Sequence, residues 1–131
     1  MIPVIISKFQ NVLIPLIIFI IFFIFDTVLG VSKGIKKKNF SSTKLRQAIP
    51  KLLGYVLTII SCVLLDILAA FSTDLTIFAE YSPISIAATV LICVIEFVSI
   101  VENSHELGAK LPKFLLNLIK LFNNEIFEEN E

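Results

Sequence analysis

Three long apolar runs punctuate the chain, and each is long enough to cross a bilayer, for which a helix needs roughly 20 mostly apolar residues. The first covers about 12–31, with no charge between Phe9 and Phe25. The second covers about 52–71 and holds one charge, Asp66; the third covers about 82–101 and holds one, Glu96. Pro15 falls in the first turn or two of the first run, where a missing N–H costs least. Beyond the third run, Gly108 and Pro112 interrupt the helix, and residues 111–127 resume with another pattern. There Lys113, Asn117, Lys120 and Asn124 line one side, opposite Phe114, Leu115, Leu118, Ile119, Phe122 and Ile126. Such spacing predicts an amphipathic helix lying in the membrane interface or packed on the protein's own loop. A solvated acidic tail over 125–131 follows it. The expected fold is an all-α integral membrane protein, one domain of three transmembrane helices plus a C-terminal amphipathic interfacial helix.

Charge orients these spans. Between Thr27 and Leu65 lie seven positive side chains, Lys33, Lys36, Lys37, Lys38, Lys44, Arg46 and Lys51, and no acidic one. Basic residues close to a span resist translocation, so the predicted loop 32–51 is cytoplasmic. The linker between the second and third spans carries Asp74 and Glu80 without Lys or Arg, while Lys110, Lys113 and Lys120 follow the third span. Both signals place the N-terminus outside and the C-terminus in the cytoplasm. A secretory signal is disfavoured, because the basic residues follow the first apolar run and no small-residue cleavage site appears.

Composition agrees, since 56% of residues are hydrophobic and 12 of the 131 are Phe, more apolar surface than a soluble domain this short can hide. The formal net charge of zero averages a basic middle against the acidic end at Glu125, Glu128, Glu129 and Glu131. Cys62 and Cys93 both sit in apolar runs and read as free thiols that pack as small apolar residues.

At 100° per residue, Ser85, Thr89, Glu96, Ser99 and Asn103 fall within about 40° of one line on the third span. Gly54, Thr58, Ser61, Cys62, Asp66, Ala69 and Ser72 share one half of the second. Such faces must meet protein or water, because polar side chains left in lipid are costly. Ordinary helix packing satisfies the pattern as well as a surface lining a water-filled opening does. Asp26, Asp66 and Glu96 favour the second reading, since an ionised carboxylate at the bilayer centre costs roughly 2.5–3.5 kcal/mol. No Lys, Arg or His lies within a predicted span to pair with them. Lys33, snorkelling to Asp26, would make that residue a topological anchor. The candidate lining and oligomerisation residues are therefore Asp66, Glu96, Thr58, Ser61, Thr89, Ser99 and Asn103, with Phe-rich span one against lipid or neighbouring copies.

Chemistry of other kinds is sparse. No nucleophile and base pair, zinc-like ligand set or Gly-rich phosphate loop stands out, so neither an enzyme nor a cofactor is expected. His105 beside Glu102 and Glu106 is weak metal evidence without a further ligand. The basic stretch lacks interleaved aromatics other than Phe40, and inner-leaflet anionic lipid explains it better than nucleic acid.

Asp26-Thr27-Val28-Leu29-Gly30, then Lys36 to Lys38, Ser41-Ser42, Lys51-Leu52-Leu53-Gly54-Tyr55 and Asp66 resemble the toxin secretion/phage lysis holin family. The resemblance continues through Glu96-Phe97-Val98-Ser99-Ile100-Val101-Glu102-Asn103, Leu107-Gly108 and Pro112-Lys113-Phe114, in order over nearly the whole chain. Pro50 departs from it, standing just before the second span where an unbroken helix start is expected. The resemblance implies a homo-oligomer that forms lesions in the bacterial cytoplasmic membrane, releasing an endolysin or a large toxin. The reading from another class is a non-lytic transporter subunit or scaffold whose acids couple to protons.

Overall fold

The computed structural model describes residues 1–36 and 43–130, with side chains over 1–35 and 46–121. Its elements are α1 (Ile2–Lys36), α2 (Thr43–Ser72), a short α3 (Thr76–Glu80), α4 (Pro83–Glu106) and α5 (Lys113–Asn130), with no strand among the described residues. Three of these, α1, α2 and α4, are long and apolar enough to cross a membrane. The fold is therefore the expected all-α three-span arrangement.

The helices outrun the apolar runs that announced them. Residues 32–51, expected as a loop, are helical over 32–36 and again over 43–51. Lys, Arg, Gln and Leu are good helix formers, and nothing obliges a helix to stop where its side chains turn polar. Pro15 and Pro50 consequently sit inside α1 and α2 rather than at their starts. Lys37 and Lys38, like Ser41 and Ser42, lie outside the described residues, and for Lys36 and Lys44 only the helical backbone is described. The backbone of α5 continues through Asn130, so most of the expected acidic tail is helical.

Gly108 ends α4 as the sequence anticipates. Its φ of 100° lies in the left-handed region that favours glycine. Gly108 N–H donates to His105 O and Ala109 N–H to Ser104 O, both at 3.0 Å, which closes a Schellman motif. The chain turns there and α5 folds back on α4, with Ile119 buried and Lys113, Asn117 and Lys120 exposed.

The core forms where α1, α2 and α4 meet, with α4 packing most extensively on α1. Val12, Phe19 and Phe23 of α1 meet Ile59 and Val63 of α2 and Ile92 of α4. Phe19 is fully enclosed, its ring 6.1 Å from that of Phe23 and 5.6 Å, edge on, from that of Tyr55. The Phe-rich face of span one, expected against lipid or neighbouring copies, is therefore partly turned into the bundle. Phe9 and Phe25 face out while Phe19 and Phe23 hold the bundle together, because 3.6 residues per turn spreads the Phe residues over both faces.

In lipid the apolar effect does not drive helices together, so the lost dispersion contacts measure what such a residue contributes. Phe19→Ala is expected to destabilise the bundle by about 3 kcal/mol. Ile18→Ala, on the outward face, should leave stability nearly unchanged; SDS titration of detergent-solubilised protein, read by circular dichroism, compares the two.

Candidate functional site: two polar knots in an apolar bundle

Every intramembrane acid of this chain is buried and engaged by another helix. Asp26 is 8% exposed, and Asp66 and Glu96 are fully enclosed. They fall into two groups at opposite ends of the bundle. Lys8 and Asp26, which mark the two ends on α1, lie about 27 Å apart at 1.5 Å per residue, close to the thickness of bilayer hydrocarbon.

At one end Lys51 of α2 reaches between α1 and α4. Its Nζ donates to Asp26 Oδ2 at 3.2 Å and lies 2.9 Å from Glu96 Oε1. Ser99 Oγ and Asn103 Nδ2, both on α4, donate to Asp26 Oδ1 at 2.5 and 2.9 Å. Asp26 thus receives three donors. Glu96 receives none: the Lys51 contact lacks hydrogen-bond alignment, and its second oxygen has no donor. The Lys51 ammonium also lies 5.9 Å from the centre of the Tyr55 ring. A cleft of about 190 Å³ leads away from this group, lined by Asp26, Thr27, Gly30, Gln47, Lys51 and Asn103 among others.

At the other end Asp66 of α2 caps α4. The N-cap residue, Ser82, makes no side-chain cap bond of its own, and the first turn of α4 holds no acid. Asp66 Oδ1 instead accepts from Ile84 N–H at 3.0 Å, and Oδ2 accepts from Ser85 N–H at 2.8 Å and from the Ser85 hydroxyl. These are the N2 and N3 amides that a local cap would serve, and a carboxylate there also meets the positive end of the helix dipole. Ser82 Oγ, released from capping, donates to Lys8 O at 3.2 Å. The Lys8 ammonium, fully buried, donates to the carbonyls of Phe78, Ala79 and Tyr81 and so closes the C-terminal end of α3.

The sequence placed the polar face of α4 correctly and its partners incorrectly. Ser85, Thr89 and Glu96 are buried, and Ser99 and Asn103 half-buried, so the stripe meets protein in the single chain. Thr89 Oγ1 donates back to Ser85 O at 2.7 Å. Asp26 and Glu96 do have a basic partner, because Lys51, assigned to the loop, is part of α2. Lys33 does not anchor Asp26: it pairs with Glu106. Gly30 is buried and borders the cleft, while Arg46 is exposed at the start of the apolar part of α2. The half-helix expected on α2 is split, with Asp66 inside and Gly54, Thr58 and Ser61 outside. Thr58 and Ser61 hydroxyls donate at 2.8 Å to the carbonyls of Gly54 and Leu57, which leaves them only as acceptors toward their surroundings.

Sequence reasoning missed the roles of Lys8, which closes the end of α3, and of Asp66, which caps α4. For the Asp66 cap the usable signal was a helix start without its own acid, Ser82-Pro83, preceded by a solitary Asp66 near the end of the previous span. The two cysteines are free and half-buried, and no group of three metal-binding side chains occurs among the described residues.

The family model described as bacteriophage holin family matches residues 4–124. No curated protein and no solved structure matches the chain.

Removing Lys51 strands two carboxylates. Lys51→Met is expected to destabilise the bundle by about 2 kcal/mol, below the full value for a buried pair because the lysine is partly exposed. Adding Asp26→Asn and Glu96→Gln to that variant should restore most of the loss, since no charge is then left unpaired; the same SDS titration reads both.

Proposed function

The chain belongs to the bacteriophage holin family, a multi-pass protein of the cytoplasmic membrane, and from that premise we propose that copies of it assemble into lesions that release an endolysin or a large toxin. The observation that carries this reading is the inward storage of polar groups. In one copy the polar side chains of α4 between Ser85 and Ser99 are buried or half-buried in the bundle, so the apolar stretches of the three spans face outward except for the small polar face at Gly54, Thr58 and Ser61. A single three-helix chain cannot enclose water with such partial stripes, so an opening requires several copies. In the assembled state α2 and α4 supply the lining, with Asp66, Glu96, Thr58, Ser61, Thr89, Ser99 and Asn103 turned toward water.

The two knots set how readily that rearrangement occurs. A chain held closed by Lys51 and by the Asp66 cap populates the open arrangement rarely, and any weakening raises that population by the Boltzmann factor. The seven basic residues around the α1–α2 junction favour a cytoplasmic position for that end of the bundle, hence the N-terminus outside and the C-terminus inside. Lys113 and Lys120, exposed on α5, suit contact with anionic lipid of the inner leaflet.

Induced expression in a bacterium is expected to give a delay followed by abrupt growth arrest and leakage. Continued growth would favour a non-lytic membrane component instead. Asp66→Asn, which weakens the cap by about 1 kcal/mol, should raise the open population about fivefold and bring the arrest forward. Onset times unchanged in both Asp66→Asn and Glu96→Gln would remove the acids from the mechanism.

A further inference from the structure

The knot around Lys51 holds one negative charge too many. Asp26 of α1 and Glu96 of α4 face a single ammonium, with Tyr55 of α2 and Cys93 of α4 as the other titratable groups within electrostatic reach of Glu96. The two acids are not equivalent. Asp26 is saturated by Ser99, Asn103 and Lys51, so the hydrogen bonds this group of residues offers go to its two oxygens. Glu96 is fully enclosed, and neither of its oxygens accepts a hydrogen bond. A buried carboxylate with no donor and half of a shared counter-ion is among the costliest arrangements a protein interior can hold.

We propose that the Asp26–Lys51–Glu96 group is a binding site for one monovalent cation, a proton or an alkali ion, taken up at Glu96. One added positive charge brings the group to neutrality and gives the orphaned oxygen a partner. The cleft is lined by Asp26 and Lys51 and gives water, and so the cation, a route to those two members of the group. Nothing in this proposal requires lesions to form, so it stands or falls separately from the functional reading.

Thermal unfolding of the full chain in detergent, at constant ionic strength, tests it with three probes: falling pH, sodium against choline, and potassium against choline. A ligand bound only by the folded state raises the midpoint by about 5 °C per tenfold increase in its concentration. The wild-type protein should respond to at least one probe. A response to pH identifies the proton, and one to sodium or potassium the alkali ion. Glu96→Gln and Asp26→Asn each remove the surplus charge, so both should abolish the response. A wild-type midpoint flat under all three probes overturns the proposal, as does a response that survives in either variant. Should both variants lose helicity, the wild-type chain decides alone: the infrared stretch of a protonated carboxylic acid, or broadening of the sodium resonance, must be present, and absence of both overturns it.

Discussion

One ammonium group held in common by three helices fixes the register of this bundle. Lys51 extends from α2 to Asp26 on α1 and to Glu96 on α4, and no apolar contact between these helices is as directional. In water, burial of apolar surface would bring the helices together; among lipid tails it offers little, and packing and polar contacts decide which faces meet. Sliding α4 by one residue would carry Glu96, Ser99 and Asn103 away from Lys51 and Asp26 together. The knot therefore specifies an arrangement that Leu and Ile alone leave nearly degenerate.

The opposite end is pinned by different chemistry. There the partners are backbone groups: Asp66 accepts from the first amides of α4, and Lys8 donates to the last carbonyls of α3. Helix ends carry unpaired amides and carbonyls that lipid cannot satisfy, so charged side chains from neighbouring helices serve them. Between the two ends the contact is dispersion, centred on Phe19, Phe23, Ile59, Val63 and Ile92. Such a bundle resists separation chiefly at its edges, where a few polar contacts can be exchanged for water.

That distribution suits a family whose members act in membranes. Polar groups satisfied within one chain can reside in the bilayer without being exposed to lipid. The outward hydroxyls of Thr58 and Ser61 differ from the stored set, being satisfied within α2 itself and already facing outward.

Much of the fold was legible in one dimension, because crossing about 30 Å of hydrocarbon demands a length and apolarity that few other structures need. The three spans, the glycine turn at Gly108, the amphipathic pattern of α5 and the coherence of the α4 polar face all follow from local spacing. The helix ends did not, since Lys33, Lys36 and Lys51 mark where lipid stops rather than where hydrogen bonding stops. Nor did the pairings. Lys51 meets Asp26 across 25 positions and Asp26 meets Asn103 across 77, separations that no periodicity encodes. The sequence by itself determined how many helices cross and which face of α4 is polar, since both depend on one helix and its solvent. Only the tertiary structure decided that the polar face turns inward and that Asp66 caps a helix other than its own, because those outcomes depend on which charged group each helix finds on its neighbour.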